Sequence, residues 1–285
     1  EVFMRNYFFI LCLLILGCDT GKLKVVMDLP IALNEVSGLE TDINNDLFWM
    51  VNDSGNKPIL YGLNTVGNIV KSIKIKAKNR DWEDLTIDPD GNIYIGNFGN
   101  NDNDSNNLSI LKIHADSLAS DQNKIHPEVI SFSYPEQKKF PPIKDKRHFD
   151  CEAFFYFQGN LYLFTKSRSP KHPEKTNLYK LPSSKGNYKA EYLDTFNTCK
   201  DDECWVTSAD INEKGDKLAL LTEKSVFVFS KLNTEKFFKS DIKRYEFNYK
   251  SQKESVAFKN DSTLYIADEY LGFSGGNVYE FKISN

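Results

Sequence analysis

The chain has 285 residues, 40% hydrophobic and 13% aromatic, enough to bury one sizeable core and with no low-complexity stretch to act as a linker. Its formal net charge is -4 and its lysines are scattered, so there is no basic stripe and nucleic acid is not an expected partner. Few segments hold an apolar period of 3.6 residues, which argues against a helical architecture.

Met4 and Arg5 precede an apolar run from Tyr7 to Leu16, too short to span a bilayer comfortably, and Gly17 and Cys18 follow. This order resembles a bacterial lipoprotein signal, in which cleavage before the cysteine leaves that cysteine lipidated. The resemblance implies a signal over 1–18, a lipid on Cys18 and an extracytoplasmic, membrane-anchored protein. The other reading is an ordinary cleaved signal with a free cysteine. Residues 1–3 read as upstream of the natural start at Met4.

From residue 22 onward the chain repeats itself. Five stretches begin alike at Ser37, Glu83, Glu152, Thr207 and Glu254, about 45 to 70 residues apart. Each has a small polar or acidic residue, then apolar residues two and usually four positions on, then a turn rich in Asn, Asp or Gly. An apolar and aromatic second strand follows each time, as in Leu47–Val51, Ile93–Ile95, Leu161–Phe164, Leu218–Leu221 and Leu264–Ala267. A third strand comes after a polar loop, and outer fourth strands such as 69–75 and 129–134 complete the first four repeats. That is the pattern of β-propeller blades. The expectation is an all-β chain forming a single propeller domain over 22–285, with five four-stranded blades and six as the alternative. The fifth repeat lacks a fourth strand, and the segment 22–29 is suited to fill the gap and remove an exposed edge.

If the five starts converge on the axis, Glu83, Glu152 and Glu254 face Ser37 and Thr207 across a channel. Three carboxylates there need neutralising, and a hard cation does so most simply. Oxygen-only donors without His or Cys favour calcium. The competing reading has these glutamates capping inner strands through backbone amides. Glu35, Asp81 and Asp150, each two residues before a start, are candidates for an outer acidic rim. The loops after the second strands crowd the same mouth and bring Asp53, Lys166 and Arg168 with them. Elsewhere Cys199 and Cys204 bracket a short polar loop and suit a disulfide, Cys151 reads as a buried small hydrophobe, and the four histidines show no ligand spacing.

The series S-G-L with N-D-S-G, W-E-D with G-N-I-Y-I-G-N-F-G, C-E-A with L-Y-L-F-T-K-S-R, T-S-A and K-E-S-V-A-F resembles a group of secreted bacterial propellers carrying NDSG and DWED signatures. More distantly it is similar to the calcium-activated nucleotidases, or apyrases, over residues 35–258. That resemblance implies five blades, one central calcium ion, and inner-strand starts of Ser, Glu, Glu, Ser and Glu, matched here by Ser37, Glu83, Glu152, Thr207 and Glu254. It places Asp53 near metal and substrate, and Lys166 and Arg168 where the family has paired arginines. The Arg of the family's Asp-Arg-Thr-Gly loop and its Lys-Glu-Trp run are missing, so the metal framework is better matched than the nucleotide pocket. Two functions follow. One is calcium-dependent hydrolysis of phosphoanhydrides or phosphoesters, with Asp53 or Glu35 as base and Lys166 and Arg168 neutralising developing charge. The other is a calcium-stabilised monomer that binds a small molecule, glycan, peptide or protein at the mouth without chemistry.

Overall fold

The structure, a computed structural model, describes residues 22–42, 46–234 and 236–283. The signal segment and Cys18 lie outside the described residues, as do Asn44 and Asn45 of the first expected turn. Short runs with period-two alternation and aromatic or β-branched residues can bury one face of a strand, and they form five antiparallel sheets around one axis.

The inner strands are Val36–Asp42, Trp82–Ile87, Asp150–Phe157, Val206–Ile211 and Lys253–Asn260. Each is followed by a second strand and a third, and the first four sheets are completed by Ile69–Ile75, Glu128–Ser133, Glu191–Asn197 and Asp241–Glu246. The fifth is completed from the other end of the chain. Lys24–Asp28 pairs antiparallel with the last strand, Asn277–Lys282, so the ring closes with five blades. Short parallel additions extend two sheets: Lys124–Ile125 on the first and Gly186–Lys189, from the blade-three connection, on the second. The long stretch 135–147 carries no strand, only a short 3-10 turn at Lys144–Lys146. Among the described residues no helix is long and apolar enough to cross a membrane.

The core is divided among the blade interfaces rather than gathered at one centre. Between blades two and three, Phe98, Phe132, Phe154 and Tyr134 pack edge to face. Between blades three and four, Phe155 meets Phe237 edge to face and Phe164 at a tilt, with Phe229 buried in the same cluster. The axis itself is lined by polar side chains. Asp84, 1% exposed, accepts from the amides of Phe154 and Ala209 and from Ser208 Oγ, tying blade two to blades three and four through the channel. Thr86 Oγ1 accepts the amide of Tyr156 one level further down.

Candidate metal centre at the upper mouth

Every inner strand has the same defect at its start. The pairing register slips between Val36 and Gly38, Trp82 and Leu85, Cys151 and Ala153, Val206 and Ser208, and Lys253 and Ser255. A bulge leaves one unpaired residue in four blades and two in the second, and turns a side chain out of the alternation. Ser37, Glu152, Thr207 and Glu254 are four of these residues, and Glu83 shares the fifth bulge with Asp84. The bulges gather the expected residues at one end of the channel, called the upper mouth here.

The members of this ring have different duties. Ser37 Oγ donates to the carbonyl of Trp82, and Thr207 Oγ1 donates to that of Lys253, both at 2.7 Å. These two hydroxyls therefore tie each blade to the residue preceding the next glutamate. Glu152 is ion-paired twice, with Lys166 Nζ at 3.1 Å and with Arg168 Nη2 at 3.3 Å. Arg168 also holds Asp150 at 2.6 Å, and Asp150 accepts the amide of Asn100. Both cations lie over Trp205, with Lys166 Nζ 5.3 Å and the Arg168 guanidinium 5.0 Å from its ring centre. Burial alone would depress the Lys166 ammonium, but Glu152 and Glu254 hold it above its ordinary value.

The opposite side of the mouth gathers carboxylates that form no salt bridge among the described residues. Oxygens of Asp53, Asp81 and Glu83 lie within 4.8 Å of one another. Asn79 donates to the carbonyls of Asn52 and Asp53 at 3.1 and 2.8 Å and accepts the amide of Trp82, so it staples the NDSG loop to the DWED strand. Gly99 makes the approach possible, because a β-carbon there would run into Glu83 Oε1 and Asp81 Oδ2. Burial and then the charge of Glu152, Asp53 and Asp81 push Glu83 well above the usual carboxylate range. Burial and Asp53 raise Asp81 to about 6. Burial raises Glu254 to about 7 against the pull of Lys166, and burial with Glu254 and Asp53 raises Glu269 to about 8. Glu35 stands outside this group. It is exposed, receives a hydrogen bond from Asn56, and touches Asp53 through its own carbonyl, which accepts the Asp53 amide at 2.9 Å.

Three features were not singled out from the sequence: Trp205 beneath the basic pair, the clearance at Gly99, and the position of Arg80. Arg80 lines a polar cleft of ≈ 330 Å³ that shares Asp81, Ser54 and Gly99 with the acidic group. Its guanidinium donates to Asn107 O at 2.8 Å and Ser109 Oγ at 3.2 Å, and it forms no ion pair among the described residues. Its position next to Asp81 in N-R-D-W-E-D was the available signal.

Fold and mouth together define the class: a five-bladed β-propeller whose channel opens on a carboxylate-lined end. Solved structures similar to the chain are propeller-type folds. The PQQ-bound aldose sugar dehydrogenase of Streptomyces coelicolor matches at 10% identity and a TM-score of 0.56, over 92% of this chain and 98% of that one. The virginiamycin B lyase of Staphylococcus aureus, solved with quinupristin, matches at 12% identity and a TM-score of 0.44, over 90% of this chain and 69% of that one. At such identities the likeness concerns the fold alone. No protein-family model matches the chain, and no curated protein matches it.

Proposed function

We propose that the chain is an extracytoplasmic propeller, anchored through a lipid on Cys18, that holds one calcium ion at its upper mouth and uses it to bind a small molecule or glycan. The observation that carries this reading is the division of the mouth. Glu152 and Asp150 have Lys166 and Arg168, whereas Asp53, Asp81 and Glu83 converge and none of them forms a salt bridge among the described residues, Arg168 reaching Glu83 only through the longer-range attraction of its charge. Like charges so close in a half-buried site do not all ionise readily. The donor set is carboxylate oxygen throughout, which fits a hard cation. A calcium ion held by these three residues would offset two of their three charges and polarise an oxygen of a bound ligand. The first strand runs from the lower face to the upper, so a tether at Cys18 leaves the upper mouth facing away from the bilayer.

Binding is favoured over hydrolysis by what the other side chains already do. Lys166 and Arg168 would have to leave Glu152 and Asp150 to hold phosphate oxygens, Asp53 belongs to the metal group, and Glu35 lies on the surface. One observation favours hydrolysis of a phosphate compound. Arg80, hydrogen-bonded to Asn107 and Ser109 but in no ion pair among the described residues, lines the cleft beside Asp81, where it would face an anionic group bound to the ion. A panel of saccharides, nucleotides and phosphoesters, tested for binding and turnover with calcium and with chelator, separates these outcomes. Retention that needs calcium and is lost in Glu83→Gln supports the binding site. Phosphate release that falls about a hundredfold in Arg80→Ala, with calcium affinity unchanged, would establish the hydrolase instead. Binding that is equal in chelator contradicts both.

A further inference from the structure

The channel has a second opening, at the end where the inner strands turn back. The lower mouth encloses a cavity of ≈ 610 Å³ between the hairpin turns, inside the size range that holds small organic ligands. Five carboxylates line it, those of Glu40, Asp42, Asp88, Asp210 and Glu213. Glu40, Asp88 and Asp210 are each 6% exposed, and Asp88 is held by Asn92 and Tyr94. Asp210 is satisfied, since its oxygens accept the amides of Ile211 at 2.7 Å and Phe258 at 2.6 Å. Glu40 is not. Its Oε1 accepts only the amide of the adjacent Thr41, at 2.9 Å, and Oε2 meets no donor among the described residues.

This is unlike the treatment of Asp84 and Glu152, though it resembles that of the unpaired acids at the upper mouth. Asp84 accepts from the backbone amides of Leu85, Phe154 and Ala209 and from Ser208, and Glu152 has two cations. Lys214 lines the lower cavity, but its ammonium is paired with Asp261. Burial, then Asp210 and Asp84, push the Glu40 carboxyl well above its ordinary value, and burial raises Asp210 to about 7. A largely buried carboxylate with one oxygen left to the open cavity gains when a positive group meets it. The rest of the wall is mixed, with an apolar and aromatic part from Tyr156, Phe157, Phe258 and Ile87 and polar groups from Thr41, Thr86, Gln158 and Asn212. A bare metal ion would leave that wall and most of the volume unused, and an anion would add to the charge already there.

We propose that the lower mouth is a binding site for an organic cation, an ammonium or guanidinium head on an apolar body. The head pairs with Glu40 and Asp210, and the body lies against Tyr156, Phe157 and Phe258, where ring faces add cation–π attraction. A free amine and the lysine or arginine side chain of a peptide carry the same chemistry. The site does not depend on the calcium reading of the upper mouth.

Calorimetric titration of the protein with benzylamine and benzamidine, and in a second arm with lysine- and arginine-tipped tripeptides, tests this. The expected result is saturable binding of one probe per chain, weakened about tenfold or more by Glu40→Gln and by Asp210→Asn and unaffected by calcium chloride. Tighter binding in the second arm assigns the site to a peptide, and tighter binding in the first to a free amine. Glu40→Gln keeps the shape of the side chain and removes a buried charge, so its melting temperature should be unchanged or higher, which shows that lost binding is not lost folding. Absence of binding in both arms, equal binding in the two variants, or displacement of the amine by calcium would each overturn the proposal.

Discussion

Lys166 and Arg168 show how strongly one residue's role depends on its neighbours in space. On a loop after a second strand they read as free cations suited to phosphate, yet both are engaged by Glu152 and Asp150 and backed by Trp205. A charge removed from such a partly buried pair leaves its partner stranded, which costs about 3–5 kcal/mol. Lys166→Met is therefore expected to destabilise strongly. Lys166→Met with Glu152→Gln should recover most of the loss, and a denaturant double-mutant cycle will show it as a large coupling; purely additive effects would contradict the pairing. The sequence marked Ser37, Glu83, Glu152, Thr207 and Glu254 because recurrence at one register is visible in one dimension. It did not show which of them bond to carbonyls, which pair with cations and which remain unpaired. Those outcomes depend on contacts between residues such as 84 and 208, which lie in different blades.

At the scale of the elements, the strand order, the blade count and the closing N-terminal strand were all legible. The strand expected over 69–75 is found as Ile69–Ile75, and that expected over 129–134 as Glu128–Ser133. The bulges were not legible, since an extra residue at a strand end leaves a period-two pattern almost intact. Nor were the two parallel additions, because Lys124–Ile125 is too short to carry a pattern. The spacing of Cys199 and Cys204 allowed a disulfide without deciding it, and the two are bonded. Closure by Lys24–Asp28 leads to a second prediction. Removing residues 22–28 uncovers the edge of Asn277–Lys282, and an uncovered edge recruits other chains. Size-exclusion chromatography should show loss of the monomer peak and earlier unfolding on heating; an unaltered monomer with an unaltered melting curve would mean that the closing strand adds little.

For the whole molecule, the imbalance of charge at the upper mouth should appear in how stability depends on pH. Asp81, Glu254 and Glu269 have folded-state values of about 6, 7 and 8, all raised above those of the unfolded chain. A raised carboxyl binds its proton more tightly when folded, so its contribution is present at acid pH and is lost as pH rises through the folded value. In chelator the melting temperature is therefore expected to fall between about pH 5 and pH 8, and calcium should flatten that slope by stabilising the ionised form. A melting temperature that rises over this window in chelator would contradict the burial of these groups.

The central claim is that Asp53, Asp81 and Glu83 form a cation site, and calcium titration by calorimetry near neutral pH tests it most directly. The account predicts one site per chain, lost or greatly weakened in Glu83→Gln and in Asp81→Asn. Removing the strained charge in Glu83→Gln should also raise the melting temperature in chelator. In the wild type, calcium at a hundred times its dissociation constant should add about 2.7 kcal/mol of stability. No binding of calcium to the wild-type protein, or binding of equal strength in both variants, would contradict it.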